Sequence, residues 1–327
     1  MDDARRNALA AWLSAQSQAE IVITRMALMS GGAIQQNWAL DVTRNGQAEA
    51  WVLRTDSQAT LTQSRPRGEE FALLRAAFQA GVTVPEPLLL CEDPTVIGAA
   101  FFVMRRITGV AAAHLVVRSE TLGGGREQAV ARLGQELARI HAITTPLPFL
   151  TPHPATPPML RFVAEMRTHL DAAARRRPVL EWGLRWLERR APAAGQIVLC
   201  HNDFRTGNLM LTDHGVAGVL DWEFAAFGDR HEDLGWFCAR CWRFGSPHEA
   251  GGIGSRAAFI AAYEAQAGVR IDPSQIALWE VAATIRWAVI ALSQAQRHLS
   301  GAEHNLEAAL TGHIVPDLEA DILQATT

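Results

Sequence analysis

The sequence predicts an α+β protein of two lobes, the first built on an antiparallel sheet and the second mainly helical. Three observations carry this. Five strand-like runs separated by turn residues fall before residue 106. From residue 110 onward the apolar residues recur at helical spacing. The length, 327 residues, is enough to bury two separate cores. The boundary is expected after residue 105, giving lobes of 1–105 and 106–327.

Residues 4–17 have Leu9, Trp12 and Leu13 on one helical face, which suits a helix covering a sheet edge or a partner surface. Residues 20–29 read as a strand running into Ser30-Gly31-Gly32-Ala33. The runs 38–44 and 49–55 make the next two strands around an Asn45-Gly46 turn. The small residues Ser30, Gly31 and Gly32 lie between the first two strands, where main-chain N–H groups can approach phosphates. Pro66 and Gly68 open a helix with a core face of Phe71, Leu74 and Phe78, ended by Gly81. Two more strands, 84–93 and 99–109, complete a five-stranded sheet.

In the second part, Gly123-Gly124-Gly125 follow no strand and read as a flexible connection rather than a phosphate loop. The helix after them carries Val130, Leu133, Leu137 and Ile140 at helical spacing and ends near His141, a capping or packing residue. A proline-rich segment at 144–160 precedes helical sequence at 161–190. Further helical runs follow at 256–268, 274–298 and 304–323.

Composition narrows the function classes. Hydrophobic residues at 49% and charged residues at 20% describe a globular chain. A net charge of -4 gives no reason to expect nucleic acid, and Arg175-Arg176-Arg177 reads as a solvated turn. Residues 1–200 hold 22 arginines against 18 acids, and residues 201–327 hold 8 against 16. There is no lysine, so any phosphate contact usually made by one falls to a guanidinium fork. The four cysteines are too scattered for a disulfide framework. The start of the chain has no apolar run of signal-peptide length, and no uncharged run is long enough for a membrane span, so a cytoplasmic location without membrane contact is expected.

The chemistry concentrates in residues 198–223, where His201-x-Asp203-x4-Asn208 is followed by a hairpin and then by Asp221 at the end of an apolar run. Phosphoryl transfer needs these residue types. A carboxylate orients a hydroxyl nucleophile and takes its proton, while hard oxygens hold Mg²⁺. Asp203 is the candidate catalytic carboxylate, and Asn208 and Asp221 are the candidate metal ligands. His201 suits a structural role in the loop better than acid–base chemistry. The order and spacing match the catalytic loop and metal-binding acid of protein kinases, with Asp221-Trp222-Glu223 in the place of Asp-Phe-Gly.

Through HNDFRTGN at 201–208 and VLDWEFAAFGDRHEDLGW at 219–236 the chain resembles the aminoglycoside phosphotransferase family, in the branch related to phosphotransferase domains fused to acyl-CoA dehydrogenases. The resemblance implies a bilobal protein-kinase-like fold that uses ATP or GTP with Mg²⁺. It places Arg54 on the α- and β-phosphates, paired with a helix carboxylate. Spacing leaves Glu69 and Glu70 equal, and the family pattern favours Glu70. It assigns Met104, Arg105 and Arg106 to the hinge, whose main-chain groups bond the adenine edge; Met104 suits a place under the adenine or in the core. Asp233 is expected to brace the catalytic loop. Arg230 departs from the family, which usually has proline there.

The acceptor is a small molecule, and the protein is expected to be a monomer or homodimer. Glu249, Glu264, Asp272 and Glu280 would serve a cationic acceptor such as an aminoglycoside or amino alcohol. The aromatic block 236–245, with Trp279 and Trp287, would serve an alcohol with an apolar portion, such as a hydroxyacyl compound, or the core. Two other readings are a pseudokinase interaction module and a hydrolase that activates water through Asp203.

Overall fold

Leu9 and Leu13 stand on one face of the first helix, α1 (Asp3–Ser17), and that face is buried against a sheet. The sheet belongs to the first of two units in the computed structural model, which describes residues 1–29, 35–56, 65–173, 175–301 and 306–327. The first unit comprises Met1–Gly109 with Ile143–Phe149 and Ala217–Ala225. The second comprises Val110–Ala142, Leu150–Val216 and Ala226–Thr327. The first unit therefore runs a little past residue 105, and the segment carrying Asp221 belongs to it.

The strands of the first unit are β1 (Ile21–Leu28), β2 (Gln35–Arg44), β3 (Gln47–Asp56), β4 (Pro87–Cys91) and β5 (Phe101–Arg105). They form an antiparallel sheet in the order β1-β2-β3-β5-β4. Asn45 and Gly46 have φ of 49° and 82°, the left-handed pair that a two-residue hairpin turn requires, and they pair Arg44 with Gln47. Strand β3 is central and buried from Trp51 to Thr55. Its alternation divides two faces. Trp51 and Leu53 join Leu9, Leu13, Phe101 and Val103 under α1, while Val52 and Arg54 point to the side of α2 (Arg67–Gln79), where Phe71 meets Phe102 at 5.7 Å. The core residues of α2 are Phe71, Leu73, Leu74 and Ala77. Phe78, expected among them, stands one residue from the helix end and is exposed.

The second unit contains α3 (Ala113–Val116), α4 (Arg126–His141), α5 (Pro158–Asp171), α6 (Pro178–Glu188), the strands β6 (Ile197–Cys200) and β7 (Leu209–Thr212), and the start of β8 (Gly215–Val219). It continues with β9 (Ala226–Asp229), α7 (Arg230–Cys238), α8 (Arg256–Ala267), α9 (Pro273–Leu299), α10 (Leu306–Thr311) and α11 (Val315–Thr326). Strands β6 and β9 pair antiparallel and frame the loop that holds Asp203. In α4, Val130, Leu133, Leu137 and Ile140 are all fully buried, as their spacing requires. The three glycines before α4 form a tight turn with φ of 74°, 86° and 100° rather than a loose connection. A Cβ on Gly123 would lie 2.3 Å from that of Ala129. The helix expected over 304–323 is broken into α10 and α11 by a 3-10 turn at Gly312–Ile314.

Helix α9 organises the core of this unit. Ile285, Ala288 and Ala291 pack with Leu180, Leu184, Phe162 and Leu318. By length and composition it is apolar enough to cross a membrane, with a mean hydropathy of 1.5. Here 56% of that window is buried, and Glu280 and Arg286 interrupt it with ion pairs.

Candidate active site

In the first unit three predicted residues come together. The Nε of Arg54 pairs with Glu70 at 2.8 Å, and its Nη2 donates to Asp221 Oδ1 at 2.6 Å. Planarity of the guanidinium makes this possible, because one rigid fork holds two carboxylates in a fixed relation that an ammonium point charge would not impose. Arg54 and Glu70 are both buried. Burial alone would lower the affinity of Arg54 for its proton, but Glu70 and then Asp221 outweigh it and the guanidinium is held more firmly charged than usual. Burial pushes the Glu70 carboxyl up, opposed by Arg54 and Arg67.

The adjacent acids diverge. Glu70 holds Arg54, whereas Glu69 pairs with Arg65 at 2.9 Å. Arg65 in turn donates to the carbonyls of Glu223 and Ala225 at 3.1 and 2.8 Å. Two acid–arginine relays from the first turn of α2 thus fix the segment 221–225 at its acid and at its main chain. Arg67, fully buried, adds a second pairing to Glu70 and one to Asp56 at 3.1 Å. Sequence reasoning passed over Arg65 and Arg67. The signal was there in their spacing of four and three residues from Glu69 and Glu70, which is the spacing of helix-side ion pairs. Asp221 itself has φ of 67°, a left-handed conformation costly to a non-glycine residue.

Residues 104–106, expected to form the hinge, are tied to the sheet by their main chain. Met104 lies within β5 opposite Val52, and the main-chain N–H groups of Arg105 and Arg106 already donate to the carbonyls of Glu86 and Ala50 at 2.8 and 2.9 Å. Any adenine contact from 104–106 therefore falls to carbonyl oxygens rather than to those two donors. The Arg105 side chain pairs with Glu86 and Glu49, and that of Arg106 with Asp41. Ser30, Gly31 and Gly32 lie outside the described residues.

In the second unit, Asp203 is buried and carries three donors. Arg205 Nε and Trp236 Nε1 donate to Oδ1 at 2.9 and 3.2 Å, and Asn208 Nδ2 donates to Oδ2 at 2.5 Å. The same nitrogen of Asn208 reaches the carbonyl of Asp203 at 3.1 Å, so the atom Asn208 can offer a cation is its amide oxygen. That oxygen in this unit and the Asp221 carboxylate in the other are hard donors of the kind Mg²⁺ takes, and the residue types fit the ion.

The loop is set from behind by Asp233. Its Oδ2 accepts from His201 N at 2.6 Å and its Oδ1 from Asn202 N at 2.7 Å, fixing Asn202 at a left-handed φ of 63°. His141 Nε2 meets the same carboxylate at 3.1 Å, and Tyr263 meets His141 Nδ1 at 2.7 Å. Burial would raise the Asp233 carboxyl; the hydrogen bond and charge of His141, with His201, outweigh burial and hold it below the usual range. His201 acts structurally, its Nδ1 accepting the N–H of Asp203 at 3.3 Å. Asp229 caps α7 by accepting from His231 N at 2.9 Å, and Glu232 returns a bond to Asp229 N at 3.1 Å. Arg230, at the first helical position where proline is usual, reaches Tyr263 at 3.3 Å.

The candidate acceptor acids are committed elsewhere. Glu264 holds Arg270 and the N–H of Ile271 after α8, and Asp272 caps α9 through Ser274. Glu280 contacts Arg256 at 2.5 Å and Arg243 at 3.2 Å, and Glu249 shares Arg256 at 3.5 Å. Burial raises the Glu280 carboxyl to about 7 despite those arginines. Most of the aromatic rings belong to the core: Trp236, Phe237, Trp242 and Trp279 are buried and Trp287 is half-buried, while Phe244 is exposed.

The model of a phosphotransferase enzyme family matches residues 26–279. Among curated proteins, acyl-CoA dehydrogenase family member 10 of Mus musculus is 31% identical over 196 residues, covering 57% of this chain and 18% of that protein. Family member 11 of Gallus gallus is 31% identical over 209 residues, covering 61% and 26%. The chain thus spans about a quarter or less of these relatives. Among solved structures, a candidate aminoglycoside phosphotransferase from Ralstonia eutropha superposes with a TM-score of 0.75 at 22% identity, covering 98% of each chain. A spectinomycin phosphotransferase in complex with ADP and spectinomycin superposes at 0.62 with 13% identity, covering 97% of this chain and 98% of its own. These structures establish the kinase-like fold.

Proposed function

The chain belongs to the phosphotransferase enzyme family, and from that premise we propose that it transfers the γ-phosphoryl group of ATP or GTP to a hydroxyl group of a small molecule with an apolar portion, such as a hydroxyacyl compound. The observation that carries the reading is Asp203, a buried carboxylate held by Arg205, Trp236 and Asn208. In the proposed step the acceptor oxygen bonds to the γ-phosphorus and the bond from that phosphorus to its bridging oxygen breaks. The nucleoside diphosphate leaves, and the hydroxyl proton passes to Asp203. Arg54, oriented by Glu70, contacts the nonreacting phosphates. Asn208 and Asp221 are the residues that would hold Mg²⁺, and the ion would supply neutralisation of charge on the phosphate oxygens. The ADP in a structural neighbour supports the nucleotide donor.

The acceptor class rests on the commitments of the acids. A polycation leaving water needs several carboxylates free to compensate it. Glu264 holds Arg270 and the N–H of Ile271, Asp272 caps α9, and Glu249 and Glu280 share arginines. A partly apolar alcohol makes no such demand. Incubation with labelled ATP, Mg²⁺ and a mixed library of aminoglycosides, amino alcohols, sugars and hydroxyacyl compounds, read by the mass of the labelled product, tests both levels. Labelled hydroxyacyl product is expected. Efficient labelling of kanamycin-like compounds overturns the acceptor class, and absence of transfer to any hydroxyl overturns the activity.

A further inference from the structure

Two tryptophans from a block that reads as core or acceptor surface stand against the catalytic carboxylate. Trp236, in α7, places its indole N–H 3.2 Å from Asp203 Oδ1. Trp242 packs against Trp236 in a tilted arrangement with ring centroids 5.1 Å apart, and the guanidinium of Arg205 lies over the Trp242 ring at 4.8 Å. The Nε of that same guanidinium is the second donor to Oδ1, at 2.9 Å. Trp236 therefore reaches the carboxylate directly, and Trp242 reaches it through Arg205. Trp242 is itself fixed from the far side by Trp287, at 4.8 Å.

We propose that Trp236, Arg205 and Trp242 form a clamp that holds the Asp203 carboxylate in its reactive orientation, with Trp236 and Arg205 as positioning residues and Trp242 as the seat of Arg205. A carboxylate with a free χ2 rotates about its terminal bond, since that torsion is broad. Two donors converging on one oxygen from different elements remove that freedom, and Asn208 on Oδ2 completes the restraint. The indole is suited to this place, having a single donor and no acceptor with which to compete. Its neighbours leave it little room: Trp236 is buried and packs on Trp242 and Ala283. The guanidinium is suited as well, because its flat face rests on an aromatic ring while its edge donates.

The inference rests on the reading of Asp203 as the proton acceptor, and its test has two arms that fail separately. In the first, Trp236→Phe keeps an aromatic ring at the position and removes the N–H, so kcat is expected to fall about tenfold, the lower end of the worth of one hydrogen bond to a charged group, while KM for nucleotide and acceptor stays within about twofold. Arg205→Ala is expected to lose kcat in the same manner and to recover part of it on addition of ethylguanidinium. In the second arm, independent of turnover, the indole N–H resonance of Trp236 is identified among the ten tryptophans by its loss in Trp236→Phe. It is expected to move upfield in Asp203→Asn while the others hold their positions, which also reports that the variants are folded. A kcat within about twofold of the parent in Trp236→Phe, a loss carried equally in KM, or an indole resonance unmoved in Asp203→Asn overturns the clamp. If the parent transfers phosphate to no hydroxyl, the activity reading fails and the resonance alone decides: moved, the clamp stands as a structural device; unmoved, it falls.

Discussion

Asp233 is the residue on which the geometry of the catalytic loop depends, and its removal has a calculable cost. Its two oxygens accept the N–H groups of His201 and Asn202 at 2.6 and 2.7 Å, and all of its surface is buried. Hydrogen bonds to a charged group contribute about 1.5–3 kcal/mol each. Asp233→Ala removes the acceptor of both N–H groups and the partner of His141, so destabilisation of at least about 3–6 kcal/mol, the worth of the two main-chain bonds, is expected, against total stabilities of about 5–15 kcal/mol. Asp233→Asn keeps one acceptor oxygen but turns an amide nitrogen toward the other donor, so roughly half that loss, about 1.5–3 kcal/mol, is expected. The assay is urea unfolding of the three proteins, read as a change in midpoint at constant slope. The pH dependence supplies a second reading. The folded-state pKa of Asp233 is depressed, so its contribution is complete above the unfolded carboxylate value of about 4 and is lost as pH falls through the folded value. The gap between the parent and Asp233→Asn should therefore be constant from neutral pH down to about 4 and close only in stronger acid. A destabilisation of Asp233→Ala below about 1 kcal/mol, or a gap that already closes near neutral pH, refutes the argument.

Asp203→Asn is expected to keep nucleotide affinity and lose turnover by about 10²–10⁴-fold, the usual worth of a general base; retention of more than about a tenth of the activity would take Asp203 out of that role. Asp221→Ala should weaken binding of Mg²⁺-nucleotide more than of metal-free nucleotide in calorimetric titration, and equal weakening speaks against Asp221 as a metal ligand. Arg54→Ala should lower affinity for ADP well beyond that for adenosine, and Arg54→Lys should restore only part of it, because the ammonium keeps the charge but loses the fork between Glu70 and Asp221. Equal effects on ADP and adenosine would remove Arg54 from the phosphates.

The sheet was legible because its information is local. The Asn45-Gly46 turn and the apolar stripe of α4 are each written within a dozen or so residues, and each takes the form that local pattern demands. Phe78 shows the limit. Its spacing from Phe71 and Leu74 is helical, but whether the last turn of α2 still has a partner depends on the elements around it, about which the helix sequence says nothing. A boundary read at residue 105 cannot anticipate that 143–149 and 217–225 belong to the first unit, because that is a matter of long-range packing.

The polar residues of the candidate site stand out in the sequence for a chemical reason: the proposed phosphoryl transfer would use a carboxylate and hard oxygens at certain spacings, and Asp203, Asn208 and Asp221 offer them within a short stretch. What surrounds those groups was not legible. Trp236 lies 33 positions from Asp203 in sequence and bonds to it, yet a tryptophan in an apolar run carries no mark that distinguishes a positioned donor from a packing ring. His141 likewise reads as the end of a helix, and its bond to Asp233 spans 92 positions. The arginines were the more readable supports. In a chain without lysine a fixed cationic partner for an acid is a guanidinium, so an acid–arginine pair at helical spacing, such as Glu69 with Arg65 or Glu70 with Arg67, is a candidate relay wherever it stands beside a predicted site. In this chain both pairs open α2. One is joined through Glu70 to Arg54 and Asp221, and the other through Arg65 to the carbonyls that follow it, so the acid expected to face the metal is placed by side chains whose spacing alone already marked them as a set.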